Sequence, residues 1–130
     1  MNDKKRDLAK AWLKKAQNDL VTASQTLLLP DGPTDTVCFH AQQAVEKALK
    51  AMLVYQNVAF PKIHDSLKLL DLVLPSAPDL EKYRQRFAEV SGYAIEVRYP
   101  SDLVEPTREE ALQAFKFAEE VVQKIAARLI

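Results

Sequence analysis

His40 and His64 are the only histidines in this chain of 130 residues, and Cys38 is the only cysteine. An imidazole can carry a proton, bind a metal or contact a phosphate near neutral pH. Metal binding has little support: Cys38 and His40 are two residues apart, a step that points their side chains away from each other on a helix. No structural zinc, other metal or cofactor is expected. His40 falls at the border between an apolar and a polar face and reads as a structural or solvated histidine. His64-Asp65 stands where a loop enters a helix, a place where polar residues often have roles. Asp65 can cap that helix while His64 bonds to backbone, or the pair can belong to a site. Lys47 and Lys50 lie one turn apart on a face that also carries Gln43, with Glu46 beside them. Such a set can hold a phosphate; it can equally be a solvated face whose salt bridge contributes little. Arg98-Tyr99-Pro100 offers a guanidinium for bidentate recognition of phosphate or carboxylate and a ring that can stack on a base. The alternative for Arg98 is to close a helix C-terminus, which the helix dipole favours. Asp19 falls on an apolar arc near Trp12, Ala16 and Ala23, so its carboxylate needs a partner. Lys47, Arg98 and the Trp12 indole N–H are candidates, and the role read for Asp19 is structural.

The elements that must hold these groups are helices. Leu8, Ala9, Trp12, Ala16, Leu20, Ala23 and Leu27 recur at three- and four-residue steps, giving a helix from about Lys4 to Leu28. Pro30-Asp31-Gly32-Pro33 stops it. A second helix is expected from about Thr34 to Asn57, with Thr34 or Asp35 as N-cap. Val37, Ala41, Ala44, Ala48, Ala51, Met52 and Tyr55 share one arc, and its alanines let a neighbour approach closely. Gln42, Gln43, Glu46, Lys47 and Lys50 fill the other side. Phe39 and Leu53 fall among them, and exposed apolar groups there would form a second contact surface such as a dimer interface.

Phe60-Pro61-Lys62-Ile63 reads as an extended connection. A short helix follows from about Asp65 to Leu74, ended by Pro75. Ser76-Ala77-Pro78-Asp79 carries the signature of a helix start, with Ser76 as N-cap. That helix holds Leu80, Tyr83, Phe87 and Val90 and bends at Ser91-Gly92. Tyr99-Pro100 breaks the chain again. Thr107-Arg108-Glu109-Glu110 is a capping box, and the last helix sets Ala111, Ala114, Phe115, Ala118, Val121, Val122, Ile125 and Leu129 in register. The fold class expected is all-α, a five-helix up-and-down antiparallel bundle, with three long and two short helices and short loops.

Composition narrows the functional classes. The 18 basic residues balance the 18 acidic ones, so bulk charge draws the protein neither to nucleic acid nor to membrane. Glycine occurs only twice, which excludes Gly-rich phosphate loops. There is no Walker loop, Gly-x-Gly fingerprint, nucleophile elbow or paired-carboxylate signature. No apolar run approaches the roughly 18 residues of a membrane span. The polar N-terminus is unlike a signal peptide, and one cysteine fits a reducing compartment. One domain spanning residues 1–130, placed in the cytoplasm, is the reading.

The same residues, taken in order, resemble the HEPN family of small helical proteins. The match is carried by the string from Cys38 to Ala51, CFHAQQAVEKALKA, then Phe60-Pro61-Lys62-Ile63-His64-Asp65, then Arg98-Tyr99-Pro100. Trp12 and Asp19-Leu20 resemble the family's first helix, and the final amphipathic helix also fits, so the likeness spans nearly the whole chain. The resemblance implies a five-helix bundle, a homodimer, and a minimal nucleotidyltransferase as partner in a two-component system of toxin–antitoxin type. It also implies a nucleotide-binding role, for which Lys47, Lys50, His64, Arg98 and Tyr99 are the candidate contacts; Phe60 is a second candidate for stacking. Other family members are metal-independent ribonucleases with an arginine and a downstream histidine separated by four to six residues. Arg98 matches the arginine, but Leu103, Val104 and Glu105 occupy the histidine's places. The first expectation is therefore a binding protein of nucleotide and partner, not catalytic alone. The alternative is an RNA endonuclease toxin in which Arg98 works with His64.

Overall fold

The computed structural model describes residues 3–94 and 105–129. Five helices make up most of it: α1 (Asp3–Leu27), α2 (Thr34–Tyr55), α3 (Ser66–Val73), α4 (Arg84–Ser91) and α5 (Arg108–Arg128), with 3-10 turns at Pro78–Tyr83 and Gly92–Ala94. The described residues contain no strand. The fold is the expected all-α, up-and-down antiparallel bundle. Helix α2 is its central member. Helix α1 packs along it, α5 packs on another side, and α3 and α4 cover part of what remains.

Small residues set the spacing. Ala9, Ala16 and Ala23, at seven-residue steps on α1, are fully buried, as are Ala41, Ala44, Ala48 and Ala51 on α2. Without bulky side chains between them the two backbones come close. The stripe on α1 is narrower than the sequence suggests: Trp12, Leu20 and Leu27 are half-buried, and Leu8 is exposed. Larger side chains fill the far side of the core. Phe87 and Phe117 meet edge to face with centroids 5.0 Å apart. Phe117 is a core residue that the sequence reading passed over; Phe115, which it chose, is half-buried.

The helix ends follow local chemistry. Thr107 and Glu110 close α5 with a reciprocal capping box. At the end of α2, Asn57 adopts φ 57°, Val58 N–H donates to the Leu53 carbonyl at 2.9 Å and Asn57 N–H to that of Val54 at 3.1 Å. That is a Schellman closure with asparagine in the left-handed position. Gly32 turns the chain after α1 where any Cβ would collide with the Thr26 carbonyl oxygen.

Two expected caps are not formed. Thr34 is the first residue of α2, Pro33 precedes it, and the Thr34 hydroxyl donates instead to the Pro106 carbonyl at 2.6 Å. Ser76 starts no helix, because its N–H and that of Ala77 still bond back to the end of α3. The chain then makes the 3-10 turn from Pro78 before α4 begins at Arg84. Ionic clasps tie this turn down: Arg84 reaches both Glu81 and Asp71, and Arg128 of α5 reaches Asp79.

The polar face assigned to α2 is also corrected. Gln42, Glu46 and Lys50 are buried, with exposures of 0, 2 and 7%. Leu53, expected on a second contact surface, is buried in the core, whereas Phe39 is exposed. The physical reason is that α1 and the segment leading into α3 cover this side of α2 and bring partners for its charges.

Candidate functional site

Helix α2 holds most of the candidate groups, and its periodicity sorts them into two clusters. His40 and Lys47 are seven residues apart, nearly the same direction on a helix. Both face α1, where Asp19 lies between them. His40 Nδ1 is 2.8 Å from Asp19 Oδ1, and Lys47 Nζ donates to Asp19 Oδ2 at 2.7 Å. Asp19 is buried, so it enters the interface between helices only because two partners meet it there. Of the partners read from sequence, Lys47 is the one the structure supplies, and His40 is one the reading missed. The signal was available: His40 and Lys47 share a face toward the apolar arc that contains Asp19.

The second cluster lies one side further round α2. Glu46 and Lys50 are one turn apart, and their charged atoms stand 3.9 Å from each other. The Lys50 ammonium also sits 5.4 Å from the centre of the Trp12 ring, a cation–π contact from α1. His64, in the segment before α3, places Nδ1 2.8 Å from Glu46 Oε1. Its own side chain is 64% exposed, while that of Glu46 is 2% exposed. Asp65 caps α3, accepting from the N–H groups of Leu67 at 3.0 Å and Lys68 at 3.4 Å. So Asp65 does what a cap would do, but His64 is held by a buried carboxylate instead of by backbone.

Two buried donors flank this cluster without a partner among the described residues: Gln42 Nε2, one turn before Glu46, and Ser66 Oγ, the first residue of α3. Gln42 Oε1 accepts from Gln43 Nε2 at 2.8 Å. Phe60, the second stacking candidate, is half-buried against the core. Arg98 and Tyr99 lie outside the described residues, as do Leu103 and Val104.

The electrostatics differ from those of an open phosphate cradle. Lys47 and Lys50 are each matched by a carboxylate, Asp19 and Glu46. Lys50 is also too buried for direct contact with a large anion. The group that faces solvent with a free ring edge is His64. Among the described residues no group of three or more His, Cys, Asp and Glu side chains is arranged to hold a metal. No helix among them is long and apolar enough to cross a membrane.

A profile of the HEPN domain matches residues 9–128. The chain belongs to the HEPN family. Its HEPN match runs from within α1 to the end of α5 and includes both carboxylate clusters. A Methanocaldococcus jannaschii protein named "Putative toxin" is 36% identical over 134 residues, covering 90% of this chain and 85% of that protein. The crystal structure of an archaeal HEPN homologue superposes with a TM-score of 0.75, covering 94% of this chain and 98% of that one. At 22% identity, this second likeness bears on the fold alone.

Proposed function

We propose that this HEPN protein is the binding component of a two-component system of toxin–antitoxin type, taking up a nucleotide and a minimal nucleotidyltransferase without catalysing a reaction alone. The observation that carries this reading is His64: an exposed imidazole anchored at 2.8 Å on a buried carboxylate, at the edge of one of the two polar clusters of the bundle. The similarity to a relative named as a toxin supports the system type. In this reading His64, Arg98 and Tyr99 touch the nucleotide. Lys47 and Lys50 support the site by balancing Asp19 and Glu46. A homodimer is part of the proposal, with the exposed Phe39 as a candidate contact. The test is calorimetric titration of ATP, GTP and their diphosphates into wild type, His64→Ala and Arg98→Ala. Saturable binding weakened by about 1–3 kcal/mol in either variant is the expected result, the size of a lost charge-assisted contact. No saturation with any of the four would end the nucleotide reading and leave the partner protein.

The RNA endonuclease reading stands second, because a carboxylate-held imidazole is also the arrangement of a general base. It requires that purified protein cleave RNA in EDTA and that His64→Ala and Arg98→Ala both abolish cleavage.

A further inference from the structure

A carboxylate oxygen only accepts hydrogen bonds. Glu46 Oε1 therefore takes its bond from a hydrogen on His64 Nδ1, 2.8 Å away. In the neutral ring the other nitrogen then carries no hydrogen, since the hydrogen bond at one nitrogen sets the state of the other. Nε2 is on the opposite edge of the ring, on a side chain 64% exposed. The arrangement is rigid at its base. Glu46 is buried on the central helix, Lys50 holds the same Oε1 at 3.9 Å, and the Trp12 ring backs Lys50. Asp65, the nearest other carboxylate in sequence, is occupied in capping α3.

We infer that Glu46 is a positioning residue that fixes the hydrogen of neutral His64 on Nδ1, so that Nε2 meets the ligand as an acceptor and bonds a ribose hydroxyl. This deepens the nucleotide reading above and rests on it. The consequence is a change of role: a lone pair at Nε2 repels phosphate oxygens and attracts an O–H donor. His64 then reads the sugar and not the phosphate. A site built to bond a hydroxyl rejects the analogue that lacks it, because its own polar atom is left without a partner.

Two measurements test this. The first needs no ligand: nitrogen-15 spectra of the His64 ring at a pH where it is neutral. Hydrogen on Nδ1 in wild type, and a shift of population toward Nε2–H in Glu46→Met, are expected. Hydrogen on Nε2 in wild type, or a Glu46→Met spectrum like that of wild type, overturns the positioning role. The second compares ATP and GTP with their 2′,3′-dideoxy forms by calorimetry. Wild type should bind the ribose form about tenfold tighter, and His64→Ala, changed at an exposed side chain, should show no preference. Equal binding of both forms by wild type overturns the hydroxyl contact. Binding of neither form sinks the nucleotide reading and the ribose contact with it, while the ring spectrum still decides what Glu46 does. If Glu46→Met does not fold, the wild-type spectrum and the His64→Ala preference still decide between these outcomes.

Discussion

Asp19 is held by two side chains at once, His40 and Lys47, about two turns apart on α2, and is itself buried between helices. Removing it leaves Lys47 and His40 facing an apolar interface with only partial access to water. Asp19→Ala is expected to cost about 2 kcal/mol, read from urea midpoints at constant slope. A change below about 0.5 kcal/mol would place the cluster with exposed ion pairs. A second prediction concerns alkaline pH. Burial pushes the Cys38 thiol from 9.0 up to about 11, against a hydrogen bond with Tyr93 that lowers it. Burial, then the neighbouring thiol, pushes the Tyr93 phenol up to about 12. Both are raised acids, so between pH 9.0 and about 11 the unfolded chain has released the thiol proton and the folded chain has not. The unfolded state then binds fewer protons, and stability falls as pH rises through this window. The loss should reach the order of 2 kcal/mol. Urea midpoints at about pH 8 and about pH 10.5 should diverge in wild type and diverge much less in Cys38→Ala, where the half-buried Tyr93 phenol alone remains raised; an equal decline in both would assign the effect to other groups.

Element boundaries show which sequence signals were sufficient. The box at Thr107 was legible because both members act on their own turn, and nothing distant competes. Thr107→Ala should therefore cost about 1 kcal/mol in a thermal or urea melt, the usual value of an N-cap. The Glu110 carboxyl is held below its ordinary value of 4.5, mainly by the Thr107 backbone N–H. Its share of the stability is thus present above pH 4.5 and fades as pH falls through the lowered value. Ser76 looked like an equivalent cap, but residues still bonded to the end of α3 occupied that turn. The face of α2 was misread for a related reason. Periodicity treats Gln42, Glu46 and Lys50 as solvent-facing, since it cannot see that Trp12 and His64 arrive to cover and pair them. Lys47 was legible as a partner of Asp19 because few cations fall on a helix long enough to reach it. The His64–Glu46 bond was not, because it joins a loop to a helix face 18 residues away.

At the scale of the molecule, the site depends on how closely α1 approaches α2. Short loops and three long amphipathic segments were enough to read the bundle, and its alanines to read a close approach. Ala16 carries this most directly: it is fully buried, it lies seven residues from both Ala9 and Ala23, and Asp19 follows it by three. Ala16→Leu adds carbon where no space exists and should force α1 outward, at about 1–3 kcal/mol. The bonds from Asp19 to His40 and Lys47, at 2.8 and 2.7 Å, would not survive a displacement of that kind. The costs should then fail to add. In Ala16→Leu the pairs are already broken, so adding Asp19→Ala should cost far less than it does in wild type. Leu8→Ala on the exposed side of α1 serves as the control, with a change within about 0.5 kcal/mol. Additive costs for Ala16→Leu and Asp19→Ala would mean that α1 accepts the larger side chain in place, and that the ionic cluster is independent of the alanine seam.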